Sequence, residues 1–233
     1  MPAGKIFLIP SFLGEDNLAI IPDQVKECVQ NLNEFIVEDA RTARRYLRAI
    51  GFKKNFDTEV TIYELDKHAK HQDSSKMLQN VLAGGDIGII SEAGNPCIAD
   101  PGSEVVDYAH ALNIDVVPLV GPSSILLALI SSGFNGQQFT FNGYLPIKEP
   151  ERTSKLKKMA SWSTATTQIF METPFRNQKL FDEIIKTCPE DIKLCVACDL
   201  TLPTQYIRTK KIAAWKNEKV DLHKRYCMFL LGV

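Results

Sequence analysis

The segment between residues 86 and 124 constrains the fold of this 233-residue chain more than any other stretch. An apolar run from Ile87 to Ile90 ends in SEAGNP, and the turn sequence DPG at residues 100–102 then precedes a helical pattern. A second apolar run, Ile114 to Val120, leads into GPSS at residues 121–124 and another helical pattern. This repeated order of buried strand, glycine-containing loop and helix predicts an α/β fold with a parallel sheet.

The two glycine-containing loops, SEAGNP and GPSS, each follow a predicted strand. In parallel α/β sheets, ligands bind beyond the carboxyl ends of the strands. Glycine and other small residues there allow a ligand to approach the bare backbone. Either loop alone is equally typical of an ordinary turn, but two such loops at one sheet edge favour a binding site.

The remaining strand patterns divide the chain into two parts. Lys5–Pro10 and Glu34–Val37 add strands to the first part, whereas the second part has more strands per residue. We therefore expect a two-domain α/β protein. The predicted domains are residues 1–119, with a mainly parallel sheet, and residues 120–233, with a mixed sheet.

The composition points to an ordinary globular protein and to no particular partner. The formal net charge is −1, with 45% hydrophobic and 24% charged residues, so any nucleic-acid contact must come from a local patch. The N-terminus shows no secretory pattern and no apolar run reaches membrane-spanning length. We expect a cytoplasmic protein that does not contact membranes.

The six cysteines are scattered and mostly lie in apolar runs, which predicts buried free thiols. Cys195 and Cys198 have CxxC spacing, but the pattern is that of an apolar strand and there is no second pair. His68 and His71 lie in a polar stretch without an evident third ligand. We therefore expect no metal site.

Four arginines lie within eight residues of a predicted helix that starts near Ala40. Three of them, at positions 41, 45 and 48, share one helix face, and Arg44 lies beside them. Such a face is able to bind the phosphate groups of a nucleic acid. From the residues alone a solvated helix face is the preferred interpretation, with Glu38 and Asp39 stabilising the helix N-terminus.

SEAGNP, ADPG and VVPLVGPSS resemble the central block of the tetrapyrrole methylase superfamily, whose members use S-adenosylmethionine. More narrowly, these segments are similar to the branch of ribosomal RNA small subunit methyltransferases I. VEDARTARRYLRAIGF, FNGYLP and METPFR resemble further blocks of that branch. The resemblance spans most of the chain and weakens after Asp199.

The resemblance implies two α/β domains with S-adenosylmethionine in the cleft between them, and a homodimer that acts on ribosomal RNA or the small ribosomal subunit. It implies an RNA-binding set of Arg44, Arg45 and Arg48. The resemblance does not identify a general base: Glu38 is the catalytic candidate from its position alone, with a helix-capping carboxylate as the alternative, and Arg41 is the candidate for orienting the substrate. The implied cofactor-binding residues are Glu92, Ala93, Gly94, Ser123, Ser124, Met171, Glu172 and Ala197. The implied reaction is transfer of a methyl group to a ribose 2′-hydroxyl.

Two features leave other functions open. The family's first loop is glycine- and proline-rich, whereas this chain has PSFLGE at residues 10–15, with bulky Phe12 and Leu13 in place of small residues. This difference raises the alternative of a cofactor-binding homologue without turnover. A methyltransferase that acts on a tetrapyrrole is the second alternative, because the superfamily is named after that chemistry.

Overall fold

The computed structural model describes residues 2–14, 17–65 and 74–233. Its internal contacts divide the chain into two compact units, Met1–Ser123 and Ser124–Val233, which we call the first and the second unit. The histidines His68 and His71, and Glu15 of the first loop, lie outside the described residues.

The first unit contains a five-stranded sheet in which the strand order is β3-β2-β4-β1-β5 and every pairing is parallel. Its strands are β1 (Lys5–Ile9), β2 (Glu34–Val37), β3 (Thr61–Glu64), β4 (Ile87–Ile90) and β5 (Asp115–Pro118). The predicted parallel sheet is confirmed. Because all strands run in one direction, their carboxyl ends lie at one edge.

Both faces of this sheet are covered at its centre, which explains why the central strand β4 is a continuous, fully buried apolar run. On one face Ile9, Phe35 and Val37 belong to a single apolar cluster. On the other face Ile6 and Ile87, which are partners in the β1–β4 ladder, belong to a second cluster. Successive side chains of a strand point to opposite faces, so one buried strand serves both clusters.

The helices described in the first unit pack against these clusters. They are α1 (Asp23–Gln30), α2 (Ala40–Ala49), α3 (Ser74–Met77), α4 (Gln79–Leu82) and α5 (Gly102–Ala111). The two short helices α3 and α4 are separated by a single residue, Leu78. Leu78 between them has φ −100° and ψ 5° and is fully buried.

The second unit contains a mixed sheet in the order β6-β7-β10-β8-β9. Its strands are β6 (Phe139–Tyr144), β7 (Thr167–Met171), β8 (Lys193–Cys198), β9 (Tyr206–Lys211) and β10 (Cys227–Gly232). The β6–β7 pairing is parallel and the other three are antiparallel, which confirms the predicted mixed sheet. The strand β9 is not predicted from the sequence.

Helices pack on the second sheet around an aromatic core. They are α6 (Ser124–Ser132), α7 (Glu149–Trp162), α8 (Asn177–Thr187) and α9 (Ile212–Trp215). Phe170 of β7 stacks on Phe229 of β10 with ring centroids 5.8 Å apart. Phe181 of α8 meets Trp215 of α9 edge to face at 5.5 Å, so this core joins strands and helices from distant parts of the sequence.

Among the residues that the structure describes, no helix is both long enough and apolar enough to cross a bilayer.

Candidate functional site

The carboxyl edge of the first sheet brings together three loops from distant parts of the sequence. The order β4-β1-β5 makes the segments after these strands neighbours. We call residues 10–14, 91–96 and 119–123 together the first rim. Two of its segments are the glycine-containing loops on which the sequence argument depends, and the third is the PSFLG segment after β1.

Backbone hydrogen bonds join the loops after β1 and β4. The Ser11 amide donates to the Gly94 carbonyl at 2.8 Å, and the Gly94 amide donates to the Phe12 carbonyl at 3.2 Å. The buried Ser91 hydroxyl also donates to the Gly94 carbonyl, at 2.6 Å. These bonds satisfy buried backbone groups that regular secondary structure leaves unpaired, so the two loops form one fixed surface.

Gly94 is required by the local geometry of the first rim. Its φ is +71°, a left-handed conformation that side chains disfavour. A Cβ atom at this position would lie 3.1 Å from Leu13 Cδ2 and 3.2 Å from the Pro122 carbonyl oxygen. Gly94 is therefore buried where all three loops meet, and its missing side chain leaves space for protein atoms.

Gly121 has a similar role between β1 and β5. A Cβ atom there would lie 2.2 Å from two atoms of the Pro10 ring, which is too close for any side chain. The small residues at Gly94 and Gly121 thus let the loops close on one another. Both glycines lie at the sheet edge that the sequence predicts, but they make room for neighbouring protein atoms, a packing role that the sequence does not predict.

Phe12 points into the apolar core. It is 6% exposed, and its ring meets Tyr46 of α2 edge to face with centroids 5.1 Å apart. The Tyr46 hydroxyl donates to the Pro10 carbonyl at 2.5 Å, and burial raises the pKa of this phenol far above its usual value. The bulky residue in the first loop therefore anchors the rim to α2.

The exposed part of the first rim is formed by Glu92, Ala93 and apolar neighbours. Glu92 and Ala93 are both exposed on the loop after β4. Val120, after β5, is 73% exposed and Ile98 is 46% exposed. Thr42 Oγ1 donates to Glu92 Oε1 at 2.6 Å, which links this loop to the first turn of α2.

Three carboxylates surround the N-terminus of α2. Asp39 is the N-cap and accepts the Thr42 amide at 2.8 Å, Glu64 Oε1 accepts the Ala40 amide at 2.6 Å, and Glu92 bonds Thr42 as described. Free backbone amides and the positive end of the helix dipole both favour such acidic groups. This edge of the first unit is therefore locally acidic.

The predicted catalytic residues lie beside this acidic group. Glu38 follows β2 directly and is half-buried, and Arg41 is exposed in the first turn of α2. The Arg41 guanidinium is close enough to contribute to the lowered pKa of Asp39, although the hydrogen bond from the Thr42 amide is the larger cause. Both candidates thus lie at the carboxyl edge of the sheet, next to the segment that carries Glu92.

The Asp39 cap predicts a pH dependence of stability. Because the folded-state pKa of Asp39 is lowered, its contribution is present above the unfolded pKa of about 3.9 and is lost as the pH falls through the folded value. Asp39→Asn keeps a capping oxygen that does not titrate. We expect the melting temperature of the wild type to exceed that of Asp39→Asn at pH 6, with the difference shrinking towards pH 3. A constant difference would contradict the assignment.

The arginines of α2 do not form one equivalent set. Arg48 donates to the carbonyls of Phe52 at 2.6 Å and Lys54 at 2.9 Å, and its guanidinium lies 4.4 Å from the Phe56 ring centroid. Arg44 lies 5.7 Å from the same ring, and Arg45 is exposed. Arg48 is therefore committed to holding the segment after α2, whereas Arg44 and Arg45 present their charges to solvent.

The other predicted cofactor residues occupy varied environments. Ser123 and Ser124 are half-buried, at the end of the first unit and at the start of α6. Met171 ends β7 and is half-buried. Glu172 is 6% exposed and accepts hydrogen bonds from the Thr173 amide at 2.7 Å and from Arg176 at 2.6 Å. Ala197 is fully buried within β8.

Sequence patterns do not indicate several contacts that fix the first rim and the adjacent end of α2. These contacts involve Ser11, Thr42, Glu64 and Ser91. The bond between Asp39 and the Thr42 amide is readable in the sequence, because aspartate is a preferred N-cap residue. The others depend on the strand order, which sequence patterns do not specify.

No group of three or more metal-binding side chains occurs in the parts of the chain that the structure describes. All six cysteines are free thiols, as expected, and four of them are buried.

Comparisons with known proteins identify the family. The sequence profile for Tetrapyrrole (Corrin/Porphyrin) Methylases matches residues 16–215. The chain is 28% identical over 208 residues to Ribosomal RNA small subunit methyltransferase I of Vibrio cholerae serotype O1, covering 89% of this chain and 69% of that one. It is 28% identical to the protein of the same name from Buchnera aphidicola, covering 95% and 75%.

A comparison with solved structures finds a similar fold. The crystal structure of the methyltransferase CobJ superposes with a TM-score of 0.65, 14% identity and coverage of 99% of this chain and 94% of that one. At this identity the likeness concerns the fold alone. The sequence profile confirms the resemblance stated from the central block: the chain belongs to the tetrapyrrole (corrin/porphyrin) methylase family.

Proposed function

We propose that this protein is an S-adenosylmethionine-dependent methyltransferase that modifies a ribose 2′-hydroxyl of small-subunit ribosomal RNA. The observation that carries the proposal is the similarity, over 85% or more of this chain, to relatives named Ribosomal RNA small subunit methyltransferase I. Membership of a methylase family supports the reaction type. The exposed residues of the first rim form a surface whose charge and polarity suit S-adenosylmethionine.

The exposed residues of the first rim fit S-adenosylmethionine in charge and polarity. The Glu92 carboxylate, with Asp39 and Glu64 close by, suits a ligand that carries a positive sulfonium and ribose hydroxyls. Exposed Val120 provides an apolar surface of the kind that an adenine ring prefers. We propose that Glu92, Ala93 and Ser123 hold the cofactor on this side.

The cofactor, when bound, supplies a methyl group that is already activated by the positive sulfur. The chain then has to hold the acceptor hydroxyl in line and to assist its deprotonation. We propose that the Glu38 carboxylate accepts the proton of the ribose hydroxyl, and that Arg41 orients the adjacent phosphate. Gly94 acts through the backbone by fixing the loop that carries Glu92 and Ala93.

The second-unit candidates differ in their availability to a ligand. Met171 is half-buried and ends its strand, so we retain it as a cofactor contact. The Glu172 carboxylate is occupied by Thr173 and Arg176, which makes it a positioning residue for this turn. Ala197 is fully buried, and its role stays a prediction of the resemblance. Ser124 and a homodimeric assembly likewise remain predictions.

For RNA contacts we propose Arg44 and Arg45, and we expect the double variant Arg44→Ala/Arg45→Ala to bind RNA more weakly. Removing two phosphate contacts should flatten the slope of log affinity against log salt by about 1.4, since each contact contributes about 0.7 with a single strand. Fluorescence anisotropy with labelled ribosomal RNA fragments at several salt concentrations measures this slope.

Arg48→Ala provides a comparison for that variant. It removes one positive charge from the same helix, whereas the double variant removes two, and it also removes two hydrogen bonds to carbonyls and the contact with Phe56. We expect Arg48→Ala to lower the thermal stability of the protein, whereas Arg44→Ala/Arg45→Ala leaves it unchanged. An unaltered salt slope in the double variant would exclude the phosphate role of these two residues.

The function itself is tested by binding and transfer together. Isothermal titration should show S-adenosylmethionine binding, and tritium from its labelled methyl group should enter the RNA of unmethylated small subunits. Digestion to nucleosides should recover the label in a 2′-O-methylated nucleoside. Binding without transfer would favour the homologue without turnover, and label in an added tetrapyrrole but not in RNA would favour the tetrapyrrole alternative.

A further inference from the structure

Exposed aromatic side chains are concentrated at one edge of the second unit's sheet. The ladders place the end of β6, the end of β7, the start of β10, the end of β8 and the start of β9 at this edge. Tyr144 ends β6 and is 54% exposed, Phe175 follows β7 and is 71% exposed, and Tyr226 precedes β10 and is 54% exposed. Exposed large apolar side chains that are grouped in this way are typical of an interaction or ligand-binding surface.

We call Tyr144, Phe175, Tyr206, His223 and Tyr226 the aromatic rim. The rings of Phe175 and His223 lie 6.4 Å apart, and two guanidinium groups flank Tyr206 on β9. These groups come from four different strand ends, so only the folded sheet brings them together.

Hydrogen bonds fix the turns that carry these rings. The Lys224 amide donates to the Pro174 carbonyl at 3.0 Å, which joins the turn before β10 to the turn after β7. The fully buried Asn177 donates its side-chain amide to the Arg225 carbonyl at 2.6 Å. Asp199 accepts the Arg225 guanidinium at 2.7 Å and the Tyr226 amide at 3.2 Å. The aromatic rim is therefore held in place before any ligand arrives.

The charge of the aromatic rim is basic. The buried carboxylates nearby are neutralised, because Glu172 pairs with Arg176 and Asp199 pairs with Arg225. In the described part of the chain, Lys224 and Arg208 have no carboxylate partner, although the exposed Asp221 accepts the His223 amide close by. Aromatic faces alternating with cations are the pattern by which proteins bind single-stranded nucleic acid.

We propose that the aromatic rim binds unpaired nucleotides of the RNA substrate by stacking bases on Phe175 and Tyr226, with Lys224 and Arg208 at the phosphates. This inference rests on the proposed RNA substrate and adds the recognition of a single-stranded segment. A protein partner would also cover apolar groups, but it would not explain the alternation of rings with unpaired cations. Met171, the retained cofactor contact, ends β7 at the same edge, so a nucleotide bound here lies on the side of the sheet where Met171 lies.

The test is fluorescence anisotropy of the full chain with a labelled single-stranded RNA of twelve nucleotides. An abasic oligonucleotide of equal length and an RNA duplex serve as reference ligands. We expect the wild type to bind the base-bearing strand at least tenfold more tightly than the abasic strand, since stacking strengthens binding by about tenfold per base. Equal affinities for the two strands, or a preference for the duplex, would overturn the proposal without any variant.

Variants separate the rings from the charges. Phe175→Ala/Tyr226→Ala should lower the affinity for the base-bearing strand by about tenfold or more and leave the salt slope unchanged. Lys224→Gln should reduce the slope by about 0.7. Phe175→Trp should retain the affinity, because it keeps a ring. Phe139→Ala is the matched control, since Phe139 is 40% exposed at the opposite end of β6 and should bind as the wild type does.

The outcomes distinguish this proposal from the proposed function. If Phe175→Ala/Tyr226→Ala binds RNA as well as the wild type, the aromatic rim has another occupant and this inference is wrong, whatever the methylation assay gives. A second outcome is that methyl transfer to ribosomal RNA is absent, although the wild type binds the base-bearing strand more tightly than the abasic strand through the aromatic rim. That result would exclude the proposed reaction but support the proposed RNA-binding surface. If the enzyme is active, Phe175→Ala/Tyr226→Ala in the aromatic rim should raise the KM for small subunits with little change in kcat.

Discussion

Gly94→Val should weaken the binding of S-adenosylmethionine by at least tenfold. The residue adopts φ +71°, and its Cβ would press on Leu13 and on the Pro122 carbonyl. The left-handed conformation alone costs about 1–2 kcal/mol for a residue with a side chain. The two branches of valine need further space where the three loops meet, so the loop that carries Glu92 and Ala93 must move. Isothermal titration and thermal unfolding measure the two effects.

Gly51→Val separates backbone strain from displacement of the loops. Gly51 also has a positive φ, +90°, and lies in the first unit, but an added Cβ there meets nothing within 4 Å. Both variants should therefore lose stability through strain, whereas only Gly94→Val should lose cofactor affinity. If both variants bind S-adenosylmethionine as the wild type does, the cofactor does not depend on the first rim.

Arg152→Leu should destabilise the protein by about 3–5 kcal/mol, the usual cost of leaving a buried charge without its partner. Arg152 of α7 is 4% exposed, and its Nε donates to Glu183 of α8 at 2.6 Å. Its guanidinium also donates to the Ile147 carbonyl at 2.6 Å, which ties the segment after β6 to both helices. Chemical denaturation followed by the fluorescence of buried Trp215 in the same unit measures the loss.

The double variant Arg152→Leu/Glu183→Leu tests the reason for that loss. If the cost of Arg152→Leu comes from the unpaired Glu183 carboxylate, removing this carboxylate should restore much of the stability, because apolar pairs often replace buried ion pairs at little cost. Thr153, which donates to Glu183 at 2.6 Å, would lose one bond in the process. A double variant less stable than Arg152→Leu alone would show that packing, not charge, is decisive.

The apolar runs that contain β4 and β5, each followed by a glycine-containing loop and a helix, made the parallel sheet of the first unit predictable, since this order is typical of parallel α/β sheets. The strand β9 was not predictable in the same way. Its sequence, YIRTKK, is mostly polar, and it forms an edge strand through pairing with β8, a partner that the local pattern does not reveal.

The position of the candidate site at the sheet edge was predictable from the sequence, but the packing of its loops was not. The loops SEAGNP and GPSS indicate the correct sheet edge, and Glu92 and Ala93 are exposed there. The sequence does not reveal that Gly94 and Gly121 accommodate protein atoms, because that depends on the loop after β1 lying between them. The same loop carries Phe12, a bulky residue where the family has small ones. The ring of Phe12 is buried against Tyr46.

The methylation of small-subunit ribosomal RNA can be mapped by mass spectrometry in cells that lack this protein. We expect one ribose methylation to be missing, and purified wild-type protein with S-adenosylmethionine to restore it in isolated subunits. Gly94→Val should restore it poorly and Gly51→Val should restore it well. An unchanged methylation map, with no methyl transfer to the isolated subunits, would show that this protein is not the ribose methyltransferase proposed here.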